Sequence, residues 1–176
     1  MTKEILIAGF GGQGILFSGK ALAHCGLHKD LEVSWLPSYG PEMRGGTASC
    51  SVVISDIQIG SPIVLNPNVL IAMNLPSLDK YEDETAAGGQ IFYDSSLIER
   101  SVKRTDVESF GIPATKLASD NNLPGLANMI IIGHMIKKSG IVTLDEVNTT
   151  LEQMIPAKKQ NMIALNQQAL AIGYNY

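Results

Sequence analysis

The sequence predicts an α/β domain of Rossmann-like type: a mixed, mostly parallel sheet flanked by helices, with a helical last third. Three observations predict it. A short apolar run, Glu4-Ile5-Leu6-Ile7-Ala8, stops at glycines and leads into apolar residues at helical spacing, the pattern of a strand buried on both faces feeding a helix. Further apolar runs of strand length recur at 69–73 and 90–93. From 126 onward the apolar period is helical in three successive segments, so helices follow the sheet as well as interrupting it. The 176 residues read as one domain, 1–176, since domains commonly run to roughly 100–200 residues.

The elements follow in order. After the strand at 4–8, residues 13 to about 28 form a helix with Ile15, Leu16, Leu22 and Ala23 on its apolar face, ending near Gly26. The strand at 32–36 is closed by Pro37, and strand–helix–strand reads as a βαβ unit with a right-handed crossover. A strand at 48–54 meets a turn at Ser55-Asp56, which predicts a hairpin into 57–59. A helix over 75–87 joins the strands at 69–73 and 90–93, and 106–110 is a weaker strand. Helices then cover 126–138, 144–154 and 159 to about 173. Thr143 has the residue type of an N-cap, with Glu146 three places on at capping-box spacing.

Composition excludes several classes. The net charge is −4 and the pI about 5.3, with no basic patch of the kind nucleic-acid binders carry. Charged residues are 17% against about 25% in an average soluble domain; either partner subunits cover part of the surface or this is ordinary variation. Cys25 and Cys50 have no CxxC spacing and form no disulfide framework. An iron–sulfur cluster normally needs four thiolates, so this chain alone holds none. The N-terminus MTKEILIAGF turns to glycines too early for a signal peptide. Apolar runs such as 129–132 fall far short of the roughly 20 residues that span a bilayer. The expectation is a soluble, cytoplasmic protein with no membrane partner.

Two loops carry the chemistry. Gly9-Phe10-Gly11-Gly12-Gln13-Gly14 satisfies GxGxxG between strand and helix, where glycines allow close backbone approach and a helix N-terminus offers unpaired N–H groups to an anion. A dinucleotide site also needs an acid about 20 residues on, after the second strand; Ser38 and Tyr39 stand there instead. The loop therefore reads as an anion site, as a contact with a partner, or as plain helix-on-strand packing. The overlapping Gly14–Lys20 match to a P-loop fails, because Ala21 replaces the magnesium-binding hydroxyl residue.

The second loop, Ser38-Tyr39-Gly40-Pro41-Glu42-Met43-Arg44-Gly45-Gly46-Thr47, follows the second strand. Loops at the carboxyl ends of parallel strands converge where α/β ligands bind, so this loop is expected to meet the glycine loop. Arg44 offers a guanidinium suited to phosphate or carboxylate, or else an exposed pair with Glu42 worth little.

The stretches IAGFGGQG, SYGPEMRGGTASCSVVIS and IPATKLASDNNLPGLANMIIIGHM, with the ending LNQQALAIGY, closely resemble the gamma subunit of the 2-oxoacid:ferredoxin oxidoreductases. The resemblance covers essentially the whole chain; Asn68 departs from it, standing where an acid is expected. It implies a subunit of an enzyme that oxidatively decarboxylates a 2-oxoacid of the pyruvate, 2-oxoglutarate or 2-oxoisovalerate kind. Electrons pass to ferredoxin and the acyl group to coenzyme A. Thiamine diphosphate and [4Fe–4S] clusters would lie in the alpha, beta and ferredoxin-like partner subunits, and this chain would serve assembly and the coenzyme A side. Carried onto this sequence, the residues that would face coenzyme A, or else a neighbouring subunit, are Gly11, Gly12, Gln13, Gly14, Ser38, Tyr39, Arg44, Gly45, Gly46 and Thr47. No catalytic residue and no metal ligand is expected here. A free-standing nucleotide-binding oxidoreductase and a purely structural subunit are the alternatives.

Other candidates carry less. His24 and His28 are four apart but lack a third ligand, with Gly26 between them. His24 and Cys25, adjacent on a helix, point apart. His134 reads as a polar edge or interface residue, and Met129, Met135, Met154 and Met162 as core or interface packing.

Overall fold

The computed structural model describes residues 2–38 and 47–176. In chain order it contains β1 (Thr2–Phe10), α1 (Ile15–His28), β2 (Glu32–Ser38), β3 (Thr47–Ser55), β4 (Val69–Ala72), α2 (Leu75–Tyr81), β5 (Gln90–Asp94), β6 (Glu108–Ile112), α3 (Ala114–Asp120), α4 (Ala127–Ser139), α5 (Leu144–Met154) and α6 (Asn161–Tyr174), with a 3₁₀ turn at Ala157–Lys159. The strands form one sheet in the order β2-β3-β1-β4-β5-β6. β1, β4, β5 and β6 run parallel, whereas β3 is antiparallel to both β1 and β2. The mixed, mostly parallel sheet and the helical last third agree with the sequence reading.

Strand periodicity divides the core between two faces. Ile5, Ile7, Val69 and Ile71 enter one core together with residues of α1, α3, α4, α5 and α6. Their neighbours Leu6, Ala8, Leu70 and Ala72 enter a smaller one closed by Leu78 and Tyr81 of α2. Both strands are buried on both sides, which is why they read as continuous apolar runs. β1 leaves through α1 toward β2, and β4 leaves through α2 on the other face toward β5. The chain therefore parts in opposite directions between β1 and β4, the point where open α/β sheets place ligands.

The structure corrects several expectations. β1 and β2 are not neighbours: β3 is inserted between them, so the ends of β1 and β2 share an edge of the sheet but lie about 10 Å apart, two strand spacings. Residues 57–59 form no strand. The Ser55 hydroxyl accepts the Ile57 N–H at 3.2 Å and meets Thr2 Oγ1 at 2.7 Å, turning the chain away from the sheet; the hairpin partner of β3 is β2. Pro37 does not close β2 but lies within it opposite Cys50, tolerated because an edge strand can spare that N–H. Gly26 does not end α1; it is buried, and a Cβ there would lie 2.7 Å from Val33 Cγ2, so it lets the helix lie close on the sheet. α2 stops at Tyr81, well before 87, and α3 is an element the sequence pattern did not predict. β6 is shifted two residues from the expected 106–110. His134 is not an edge residue: it is 4% exposed, ringed by Phe92, Phe110 and Tyr176.

Candidate functional site at the glycine loop

The turn from β1 into α1 is held from three directions. Gln13 N–H donates to the Phe10 carbonyl at 3.2 Å, and Phe10 N–H donates to Gln13 Oε1 at 2.6 Å. Gln13 Nε2 then donates to the Met73 carbonyl at 3.2 Å, just past β4. The Gln13 carboxamide is thus engaged at both ends across the switch point, and it braces the loop.

Gly14 is the N-cap of α1, in the left-handed conformation at φ +75°, where a side chain would be strained. Its carbonyl accepts from Ser18 N–H at 3.0 Å and from Asn128 Nδ2 of α4 at 3.3 Å, while the same Nδ2 donates to Ser18 Oγ at 3.0 Å. No side chain caps α1 and no acid stands in its first turn. Its leading amides and the positive end of its dipole are therefore left for an outside anion. Gly12, at φ +92° with open space where a Cβ would be, gives that anion close access to backbone.

Two hollows flank the loop. One of about 620 Å³ lies at the switch point, between Gly12, Gln13 and Met73 on one side and Thr115, Ser119 and Asn122 on the other. A smaller one of about 280 Å³ lies over Phe10, Gly11 and the first turn of α1. The far wall of the larger hollow is set by Asp94, fully buried, whose carboxylate accepts the Ser96 N–H at 2.9 Å, the Thr115 N–H at 3.1 Å and the Thr115 hydroxyl at 2.5 Å.

Of the residues expected at the site, Gly11, Gly12, Gln13 and Gly14 are brought together. Thr47 opens β3 directly opposite Phe10, beside the loop. Ser38 is exposed and pairs with Ser49, one strand further out. Tyr39, Arg44, Gly45 and Gly46 lie outside the described residues. Sequence reasoning missed Asn128, Met73 and Asp94; the only signal was the polar, Gly- and Pro-containing stretch 119–125, which marks a loop near the site without naming its partners.

Comparison with known proteins gives the chain its family. The model of the pyruvate ferredoxin/flavodoxin oxidoreductase family matches residues 4–176. The chain belongs to this family. A ketoisovalerate oxidoreductase subunit VorA of Methanothermobacter thermautotrophicus is 41% identical over 97% of this chain, which spans 35% of that relative's length. A 2-oxoglutarate synthase subunit KorC of Methanocaldococcus jannaschii is 34% identical over 95% of this chain and 92% of the relative. Among solved structures, the gamma subunit of a keto/oxoacid ferredoxin oxidoreductase from Geobacter sulfurreducens superposes with a TM-score of 0.83 at 25% identity, covering 98% of this chain and 96% of that one. The 2-oxoglutarate:ferredoxin oxidoreductase of Magnetococcus marinus, solved with coenzyme A bound, gives 0.89 at 23% identity over 99% of this chain and 30% of its own. The family assignment and the gamma-subunit fold agree with the resemblance seen in the sequence.

Proposed function

We propose that this chain is a single-domain gamma subunit, residues 1–176, of a cytoplasmic 2-oxoacid:ferredoxin oxidoreductase. In the assembly it helps hold coenzyme A where the acyl group is transferred. The observation that carries the reading is the uncapped N-terminus of α1 at the switch point, held open by Gly12 and Gly14, in a chain of this family. Backbone N–H groups of the loop and of the first helical turn bind phosphate oxygens, and Gln13 keeps their backbone in register. Arg44 supplies a guanidinium to the same anion, and Ser38, Tyr39, Gly45, Gly46 and Thr47 are the other second-loop residues proposed to serve coenzyme A.

Thiamine diphosphate and [4Fe–4S] clusters belong to the alpha, beta and ferredoxin-like partners in this reading, and ferredoxin is the electron acceptor. This chain's residues do not fit a cluster: both cysteines are buried in the larger core, and a cluster normally needs four thiolates. Among the described residues no three His, Cys, Asp or Glu side chains gather around a metal-sized space, and no helix is long and apolar enough to cross a membrane. The nicotinamide alternative loses further ground, because antiparallel β3 separates β1 from the strand whose end would carry the ribose-binding acid.

Native purification from the source cell tests the proposal, with mass spectrometry of co-eluting chains and 2-oxoacid-dependent viologen reduction. The expected result is co-elution with thiamine-diphosphate and cluster subunits and activity on one 2-oxoacid. A solitary chain that binds NAD contradicts it. In the assembled enzyme, Arg44→Ala is expected to raise the KM for coenzyme A.

A further inference from the structure

Pro37 reports which way the backbone of β2 faces. It pairs with Cys50 of β3 but has no N–H to give, so the two form a non-hydrogen-bonded pair. Antiparallel ladders alternate with a period of two. Trp35 and Val33, opposite Val52 and Ile54, therefore also turn their N–H and C=O groups away from β3. β2 ends the sheet, and no strand lies beyond it among the described residues. Free edges are commonly blunted by lysine or by a bulge; between Glu32 and Pro37 the strand has neither.

The side chains along this edge are uncovered as well. Val33 and Trp35 point to the α1 side, where a Cβ on Gly26 or Gly19 would meet them. With Ala23 and Leu27 of α1 they line a groove of about 200 Å³, in which Trp35 is 38% exposed and Leu27 54%. Lys20 and His24, one helical turn apart, complete the lining, and no carboxylate joins it. Neither has an ion-pair partner among the described residues. In a chain of net charge −4, this basic and apolar groove stands out from its surroundings.

We infer that the free edge of β2 receives an extended, acidic segment of a partner subunit as an added strand. The backbone of that segment pairs with Val33 and Trp35, its carboxylates face Lys20 and His24, and an apolar side chain sits against Leu27 and Trp35. Charge complementarity selects this occupant over a second copy of the chain. Two β2 edges laid together would bring Lys20 and His24 of both copies to one seam. Glu32, next to Val33, faces the other side of the sheet and offers them nothing. The inference rests on the reading that this chain assembles with partner subunits; it does not depend on where coenzyme A binds.

The test is hydrogen–deuterium exchange across β2 in the purified, assembled enzyme, resolved to single residues by mass spectrometry. The Ser34 and Leu36 amides, which face β3, are the internal reference. The Val33 and Trp35 amides are expected to be as protected as that reference, and carbodiimide, which joins an amine directly to a carboxylate, is expected to link Lys20 to an Asp or Glu of a partner subunit. Lys20→Glu/His24→Glu is expected to speed exchange at Val33 and Trp35 at least about tenfold and to leave Ser34 and Leu36 unchanged. Free exchange at Val33 and Trp35 in the assembled enzyme overturns the inference. So does a Lys20 link only to a second copy of this chain, or unchanged exchange in the variant. If no partner co-purifies, the inference falls together with the proposed function; if partners co-purify and the edge amides exchange freely, it falls alone.

Discussion

The Asn128 amide nitrogen lies 3.3 Å from the carbonyl of Gly14, a residue 114 positions earlier in the chain. This contact ties the N-cap of α1 to α4 and fixes how the glycine loop faces the edge of the sheet. It also explains why Gly14 has no room for a side chain: a Cβ there would overlap the Asn128 carboxamide. Gly14→Ala is expected to destabilise the chain by about 2–4 kcal/mol, from left-handed backbone strain and overpacking together. Denaturant unfolding of the two proteins checks this; a loss below about 0.5 kcal/mol, the range of ordinary surface substitutions, contradicts it.

The α4–α6 contact makes a second prediction. Gly133 lies against the backbone of Leu170, and Gly173 against that of Ile130, each so closely that an added Cβ would collide with main-chain atoms. Main chain inside two packed helices cannot rotate aside as a side chain can. Gly173→Ala is expected to cost at least about 3 kcal/mol, at or beyond the upper end of overpacking, whereas Gly60→Ala, where a Cβ meets open space, is expected to be near neutral. Thermal melting of the pair reports the contrast.

Glu82, 3% exposed at the end of α2, accepts the Lys103 and Arg104 N–H groups and pairs with Arg100 at 2.7 Å. One carboxylate thus anchors the 100–104 segment that leads to β6. Glu82→Gln removes the charge opposite Arg100 and replaces one acceptor oxygen with a donor. Arg100 is partly exposed and keeps its pair with Asp79 at 2.5 Å, so the expected loss is about 1–3 kcal/mol, as for leaving a buried hydrogen-bond group unsatisfied, measured by urea unfolding.

His134 gives the stability a pH slope. Burial, reinforced by the nearby Lys138 charge, pushes its pKa below 6.5, against the opposing pull of the Gly173 carbonyl. The folded state therefore binds the proton less readily than the unfolded state. Stability from this residue is complete above about pH 6.5 and is lost as pH falls below that value. Urea midpoints between pH 7.5 and 5 should fall, and the fall should flatten in His134→Asn.

Burial also silences both thiols. Cys50 is pushed up to about 12 by burial, which outweighs its hydrogen bond with Trp35. Cys25 is raised by burial as well, against the pull of the Thr150 hydroxyl 3.3 Å away. Since the thiolate is the reactive form, iodoacetamide at pH 8 should leave both unmodified in the native protein and modify both in denaturant. Rapid native labelling of either residue contradicts the packing described here.

Legibility followed local physics. β1 and β4, buried on both faces, and the late helices with their 3.6-residue period were readable, and so was the capping box, in which Thr143 Oγ1 accepts the Glu146 N–H and Glu146 returns the bond at 2.7 Å. What failed depended on distant partners. Nothing near β2 shows that β3 will insert between it and β1, because edge pairing is decided by the whole sheet. At 57–59, where a strand was expected, the Ser55 hydroxyl accepts the Ile57 N–H, a contact that no residue pattern announces. α3 is only seven residues long and is held by Asp94 through Thr115, a contact 21 residues apart. At the site, the glycines were legible from their spacing, but the bonds by which the Gln13 carboxamide spans Phe10 and Met73 had no local signal. Asn128 had no local signal at all.

The central claim is that the open amides at Gly12 and the first turn of α1 bind coenzyme A in the assembled enzyme. The most direct measurement is the KM for coenzyme A, alongside that for the 2-oxoacid, in Gly12→Ala and the unaltered complex. A Cβ at Gly12 meets nothing within 4 Å in the protein itself, but the left-handed φ of +92° strains any side chain there, so normal assembly and an unaltered KM for the 2-oxoacid are what separate obstruction of coenzyme A from a distorted loop. The account predicts a KM for coenzyme A raised about tenfold or more, equivalent to about 1.4 kcal/mol, with the KM for the 2-oxoacid unchanged. Unchanged values for both, in a complex that assembles normally, would contradict it and leave the loop as a scaffold for its partner subunits.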